Sequence, residues 1–333
     1  MAISKKMNEF ATSSSWIRRM FEEGAKLKKE LRVAAEEILM TCGAAGALNV
    51  VLKSILNPDE EVIILAPFFV EYKFYIDNHG GRSVVVPTRD DFNLDLEAIS
   101  ASITAKTKAV IINSPNNPTG QIYPAADLQK LGEVLSGCQE KYGSAIFLLS
   151  DEPYRKIIYD DHQVPAVFRS YRNSIIVSSY SKDLSLPGER IGYIAVHPDI
   201  IEKTGLLAAL TLANRILGFV NAPALMQRVV AELQGVKVDT SVYARRRQIF
   251  CDILTGCGLA FTPPKGAFYI FPKTPIADDV QFVAHLQKYK ILAVPGRGFG
   301  SPGYIRLAFC VDDDVISRSG AAFRQAMETL GEA

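Results

Sequence analysis

The chain has 333 residues, 48% of them hydrophobic and 22% charged, and 37 basic side chains nearly balance 36 acidic ones for a formal charge of +1. At about 150 residues per domain, this length predicts two domains and a sizeable core, and the charge balance argues against a chain built to grip nucleic acid or an anionic membrane. The longest apolar runs, Val62-Ile-Ile-Leu-Ala66 and Ala145-Ile-Phe-Leu-Leu149, are too short to span a bilayer, and residues 1–10 lack the apolar stretch of a secretory signal.

Residues 14–29 read as an amphipathic helix carrying Trp16, Ile17, Met20, Phe21, Ala25 and Leu27. Leu48, Val51, Leu52 and Ile55 fall at i, i+3, i+4 and i+7 and predict a helix over 43–56. A strand at 61–66, a helix at 69–78, a strand at 82–87 and a helix at 94–103 follow. Next come a strand at 108–113, a helix at 125–139, strands at 145–150, 174–178 and 191–196, and a helix at 200–216. These strands are apolar throughout, as a sheet buried on both faces requires. Their alternation with helices predicts a three-layer α/β fold with a mainly parallel sheet.

The character then changes. Residues 241–256 read as one long helix with Arg245, Arg246 and Arg247 on its exposed side. Strands are expected at 266–271, 291–294 and 304–309, and helices at 278–289 and 313–330, giving a smaller α+β unit. The expected division is an N-terminal helix within 1–30, a large α/β domain over 31–240, and a small α+β domain over 241–333.

The five cysteines (Cys42, Cys138, Cys251, Cys257 and Cys310) are scattered, with no C-x-x-C pair. They are expected to be buried or incidental thiols in a reducing, cytoplasmic compartment, with neither disulfides nor a zinc site. The four histidines (His79, His162, His197 and His285) are isolated, and no metal is expected. Gly298-Phe-Gly-Ser-Pro-Gly303 fits G-x-G-x-x-G, but it precedes a strand and does not open a helix, so nucleotide binding is not expected.

In an open parallel sheet, ligands bind beyond the carboxyl ends of the strands. Three consecutive strands here run into unusual polar turns: Asn113-Ser-Pro-Asn-Asn-Pro-Thr-Gly120, Ser150-Asp-Glu-Pro-Tyr154 and Ser178-Ser-Tyr-Ser-Lys-Asp183. Singly, each could be a plain turn, a cap or a solvated lysine. Together they place an amide, a carboxylate, a phenol and an amine on one sheet edge. Thr41-Cys-Gly-Ala-Ala-Gly-Ala-Leu48 opens a helix with small residues, so its first amides can approach a phosphate. Ser179 and Ser181 add hydroxyls, and Arg190 adds a guanidinium. A phosphate site beside a lysine and a buried acid suggests pyridoxal phosphate.

The motifs Asn117-Pro-Thr-Gly120, Asp151-Glu-Pro-Tyr154, Ser179-Tyr-Ser-Lys182 with Pro187-Gly-Glu-Arg-Ile-Gly192, and Tyr304-Ile-Arg306 occur in that order. In these the chain resembles the class I/II aminotransferases, pyridoxal-phosphate enzymes of fold type I that include the aspartate aminotransferases. The resemblance covers nearly all of residues 10–330. It implies that Lys182 holds the cofactor as a Schiff base and moves the substrate proton, while Asp151 bonds the pyridinium nitrogen. It further implies that Asn117 and Tyr154 reach the phenolic oxygen and that Phe69 stacks on the ring. Ala44, Ala45, Ser179 and Arg190 would hold the phosphate. Arg306 would clamp the substrate carboxylate, with Asn117 beside it.

The resemblance also implies a homodimer acting on an amino acid and a 2-oxo acid, without nucleic acid or membrane. The same motifs serve lyases and decarboxylases, which stay open as alternatives. Between Lys29 and Glu37 the chain lacks several tens of residues that related enzymes carry, including a glycine-containing loop and a tyrosine that reaches the partner's phosphate. A pyridoxal-phosphate-binding protein with impaired catalysis is the corresponding alternative.

Overall fold

In the computed structural model, which describes residues 3–8 and 37–330, alternate residues of the central strands enter two different cores. Ile63, Val110, Ile112 and Leu148 join one core, while Ile64, Ile111, Leu149 and Val177 join the other. The period-two geometry of a strand sends neighbours to opposite faces, so a sheet covered on both sides needs continuous apolar strands. Each fully buried Leu or Ile contributes about 1.5–3 kcal/mol relative to exposure.

The strands are β1 (Ile38–Thr41), β2 (Glu61–Ala66), β3 (Arg82–Pro87), β4 (Thr107–Asn113), β5 (Phe147–Asp151), β6 (Ser174–Ser179) and β7 (Gly192–Val196). They form a seven-stranded sheet in the order β1-β7-β6-β5-β4-β2-β3. Pairing is parallel from β3 through β6, and β7 runs antiparallel to both β6 and β1. Helices α1 (Gly43–Ile55) and α5 (Lys203–Ile216) cover one face through Leu48, Leu52, Leu206 and Leu210. Helices α3 (Leu96–Ser102) and α4 (Ala125–Tyr142) cover the other through Ile99, Leu128, Leu131 and Leu135. The short α2 (Glu71–Asp77) follows β2, and α6 (Ala224–Glu232) follows α5.

Beyond α6, α7 (Thr240–Gly256), α8 (Asp279–Lys288) and α9 (Asp313–Glu328) surround a three-stranded sheet. Its strands are β8 (Tyr269–Ile270), β9 (Val294–Pro295) and β10 (Ile305–Ala308), with β10 central. Asp239 and Asp278 cap α7 and α8 by accepting backbone N–H bonds. Phe250, Phe282, Phe309 and Phe323 fill this unit's own core, which also takes Tyr154, Ile157 and Tyr159 from the segment after β5.

Several expectations need correction. Arg247 is not on the exposed side of its helix. It is buried and pairs with Asp160 at 2.6 Å, because its guanidinium also finds the Pro264 carbonyl at 3.0 Å. The strands expected at 266–271 and 291–294 shrink to the two-residue β8 and β9, since only those positions meet β10. Strand β1 and helix α6 were not anticipated; β1 is four residues whose strand state comes from pairing with β7. The five cysteines are unpaired, and none is fully buried. The helix expected at 14–29 lies outside the described residues, as does the junction after Lys29.

Candidate active site

The register gathers the strand ends into one row. Thr41 and Ser179 both pair with Gly192, and Asn113 pairs with Asp151. Gly192 cannot carry a side chain: a Cβ there would collide with the Ser178 carbonyl oxygen and lie 2.8 Å from Gly43 Cα. That close approach seats the start of α1 directly on β7.

The turn after β4 is built by its asparagines. Asn113 Nδ2 donates to the Asp151 carbonyl at 2.8 Å, and its Oδ1 accepts from the Asn117 amide at 2.7 Å. Asn116 Oδ1 accepts from the Thr119 amide at 3.0 Å and the Thr119 hydroxyl at 2.9 Å. The Gly120 carbonyl then accepts from the Lys265 and Gly266 amides, each at 2.9 Å, which docks the smaller unit against the turn.

Asp151 ends β5 in a buried position. Its Oδ2 accepts from the Tyr72 hydroxyl at 2.5 Å, whereas Oδ1 is buried with no partner among the described residues. Burial pushes its carboxyl up to about 7, against the Tyr72 bond, and the neighbouring Glu152 adds to the rise. Burial also raises the Tyr72 phenol, reinforced by the Asp151 charge. Phe69 sits edge-on to Tyr72, with ring centroids 5.5 Å apart.

Lys182 follows β6 and is half-buried, with Nζ 5.5 Å from the centre of the Phe268 ring. Burial lowers its pKa; Cys310 opposes the change, while the positive charges of Arg190 and Arg306 add to it. Arg190 takes a left-handed backbone at φ 50° and donates to the Pro187 carbonyl at 2.8 Å. Its guanidinium lies close over Gly43, where a Cβ would come within 2.7 Å of Nη2.

Arg306, on β10, donates from Nη1 to Asn117 Oδ1 at 3.0 Å. Its guanidinium carbon lies 4.7 Å from the Tyr269 ring centre and 5.0 Å from that of Phe299. The Tyr154 and Tyr269 hydroxyls are 3.2 Å apart, and the Tyr154 ring meets Phe268 edge-on at 5.4 Å. Contacts therefore run unbroken from Lys182 through Phe268, Tyr154, Tyr269, Arg306, Asn117, Asn113, Asp151 and Tyr72 to Phe69. Ala44 and Ala45 lie in the first turn of α1, and Ser179 ends β6 beside Gly192. All ten residues singled out in the sequence thus fall on one edge of the sheet or on β10 above it. Tyr72, Phe268 and Tyr269 were not singled out. Their signal was thin: they fall inside an expected helix and an expected strand, and nothing local to either marks them as site residues.

Known proteins match most of the length of the chain. The model of the aminotransferase class I and II family matches residues 15–319. The chain belongs to this family. It is 32% identical over 321 residues to the probable aspartate/prephenate aminotransferase of Aquifex aeolicus, covering 92% of this chain and 80% of that one. It is 31% identical to an aspartate aminotransferase of Bacillus subtilis, covering 94% of this chain and 81% of that one. Among solved structures, an aminotransferase from Eubacterium rectale matches with TM-score 0.86 and 39% identity over 88% of this chain and 74% of that one. An aspartate aminotransferase from Thermus thermophilus, with maleate, matches with TM-score 0.76 and 25% identity over 98% of this chain and 89% of that one.

The protein is an aminotransferase of the fold type I class: it moves an amino group between an α-amino acid and a 2-oxo acid, and the family's cofactor is pyridoxal phosphate. The residues present fit that group. The orphaned Asp151 Oδ1 suits a protonated ring nitrogen, which would restore the carboxylate. Helix α1 begins with no side-chain cap and no acidic residue in its first turn, leaving its amides for an anion. Arg190, held over that turn, brings the matching positive charge.

Proposed function

We propose that Lys182 is the amine that carries the cofactor as a Schiff base and the residue that moves the substrate proton. The observation that carries this is the half-satisfied Asp151 carboxylate, buried at the same sheet edge as an amine whose pKa burial lowers. Pyridoxal phosphate, when bound, supplies a carbonyl carbon for condensation with amines and a ring that takes up the electron pair left at the substrate Cα. Asp151 keeps the ring nitrogen protonated. Ala44 and Ala45 offer backbone amides to the phosphate, Ser179 a hydroxyl, and Arg190 two parallel N–H donors. Phe69 covers a face of the ring.

Arg306 fixes the orientation of the Asn117 amide. A guanidinium only donates, so the atom it meets must be the amide oxygen, and Nδ2 is left to donate to the cofactor's phenolic oxygen. Tyr154 gives a second donor to the same oxygen. The remaining N–H groups of Arg306 bind the substrate α-carboxylate and hold its Cα–H bond in line for Lys182 Nζ. Burial lowers the pKa of that amine, which favours the neutral form that accepts the Cα proton.

The names of the relatives support an acidic amino donor of the aspartate kind. Leu225 and Val229, one turn apart on α6, are 72% and 36% exposed and support a second copy packing there, hence a homodimer. The five free thiols support a cytoplasmic setting. Separate cores support a large domain over 31–240 and a small one over 241–333, with the segment after β5 packed into the smaller core. With the cofactor added, the protein should absorb visible light, lose that band with aspartate and regain it with a 2-oxo acid. A colourless protein overturns the assignment of Lys182. A coloured protein inert to every amino donor identifies a cofactor-binding protein with impaired catalysis.

A further inference from the structure

Tyr269 belongs to β8 and reaches two of the residues placed in the site. Its hydroxyl is 3.2 Å from that of Tyr154, and its ring centre is 4.7 Å from the Arg306 guanidinium carbon. The two tyrosine rings meet edge-on, 5.8 Å apart at 82°. Among the described residues, each hydroxyl has the other as its one hydrogen-bond partner. Its chain neighbours Phe268, Ile270 and Phe271 carry no hydroxyl. A side chain that only packed there would not need one.

A phenol has a single proton to give. When Tyr154 spends its proton on the cofactor's phenolic oxygen, the bond between the tyrosines survives only with Tyr269 as donor. A hydroxyl that accepts such a bond is polarised and becomes a better donor itself. We infer that Tyr269 is a positioning residue with two separable parts. Its hydroxyl fixes Tyr154 as a donor toward the cofactor, and its ring holds the Arg306 guanidinium where the substrate carboxylate arrives. This rests on the roles proposed for Tyr154 and Arg306.

The test compares wild type, Tyr154→Phe, Tyr269→Phe, Tyr269→Leu and the Tyr154→Phe/Tyr269→Phe double variant, each loaded with pyridoxal phosphate. Two quantities are read: the pH midpoint of the cofactor's visible absorbance, and KM for the amino donor. Donation from Tyr154 draws charge off the phenolic oxygen and weakens its hold on the proton at the Lys182 nitrogen. Losing that donation therefore raises the midpoint. Tyr154→Phe should raise it most and Tyr269→Phe by about half a pH unit, while the double variant should match Tyr154→Phe alone. Tyr269→Phe keeps the ring, so its KM should stay within about twofold of wild type, whereas Tyr269→Leu should raise KM about three- to fivefold.

A midpoint moved by Tyr154→Phe but not by Tyr269→Phe overturns the hydroxyl half and leaves the Tyr154 assignment standing. A midpoint unmoved by Tyr154→Phe overturns that assignment, and the hydroxyl half with it. An unchanged KM in a folded Tyr269→Leu overturns the ring half.

Discussion

The Tyr72 hydroxyl donates to Asp151 Oδ2 across 2.5 Å, and the other oxygen of the same buried carboxylate has no partner among the described residues. One neutral donor does not replace the water a carboxylate loses on burial, which is why its pKa climbs to about 7 despite that bond. The site is built for a charged partner on the second oxygen.

A pH dependence follows for the cofactor-free protein. The folded carboxyl titrates near 7 and the unfolded one near 3.8. Between those values the folded state holds a proton that the unfolded chain has released, so stability falls as pH rises through the window and levels off above it. Asp151→Asn keeps an acceptor for Tyr72 and lacks the titration. Thermal melts of the cofactor-free proteins should show the variant gaining on wild type from about pH 4 to 7, with a ceiling of about 4 kcal/mol. Parallel profiles would sink this account.

Lys182 is the residue whose loss should be absolute for covalent attachment. After loading with pyridoxal phosphate and borohydride reduction, wild type should gain the mass of one cofactor, and Lys182→Ala should gain none. Labelling of another lysine in the variant to the same extent would remove Lys182 from its role.

Arg306 should not tolerate replacement by lysine, which offers a point charge in place of a planar fork and cannot both hold Asn117 Oδ1 and face a carboxylate. Arg306→Lys is expected to lower kcat/KM for the amino donor about 10- to 100-fold. The cofactor should remain bound. Steady-state kinetics beside an absorbance spectrum separate the two effects.

Arg190→Ala should weaken cofactor binding about 10- to 100-fold, measured by equilibrium dialysis, because it strips the charged donor from the start of α1. Retention of full affinity would show that the helix amides suffice.

Gly192→Ala tests the seating of α1. The new methyl would meet the Ser178 and Gly43 backbones, neither of which can swing aside as a flexible side chain can. A loss of about 3 kcal/mol or more is expected in denaturant unfolding. A variant within about 0.5 kcal/mol of wild type, the size of an ordinary surface change, would mean that the backbones of β7 and α1 can part there.

Much of the large sheet was legible from hydrophobic runs. Val110, Ile111 and Ile112 cannot all be buried in a half-exposed strand, so a run of that kind already demands cover on two faces. The order β4, β5, β6 at the centre was what made three polar turns converge. Strand β1 was not legible, because Ile38–Thr41 becomes a strand only by meeting β7, from which the sequence separates it by some 150 residues. Arg247 was misplaced for a related reason: whether a helical arginine faces water depends on finding Asp160 and a free carbonyl nearby, and neither is a neighbour in sequence.

The sequence by itself determined the sheet's character, its family resemblance and the identity of the chemical groups, since residue type, period and motif order are local properties of the chain. Tertiary structure decided how those groups are paired. It set the turn after β4 against β10, so that Arg306 orients Asn117, and it placed Tyr269 against Tyr154. It also left one oxygen of Asp151 without a partner. Hydrogen-bond direction, desolvation and close backbone approach arise only when distant segments meet. The 333 residues and near-zero charge admitted a large class of two-domain proteins; the packing of those segments is what narrows them to one site.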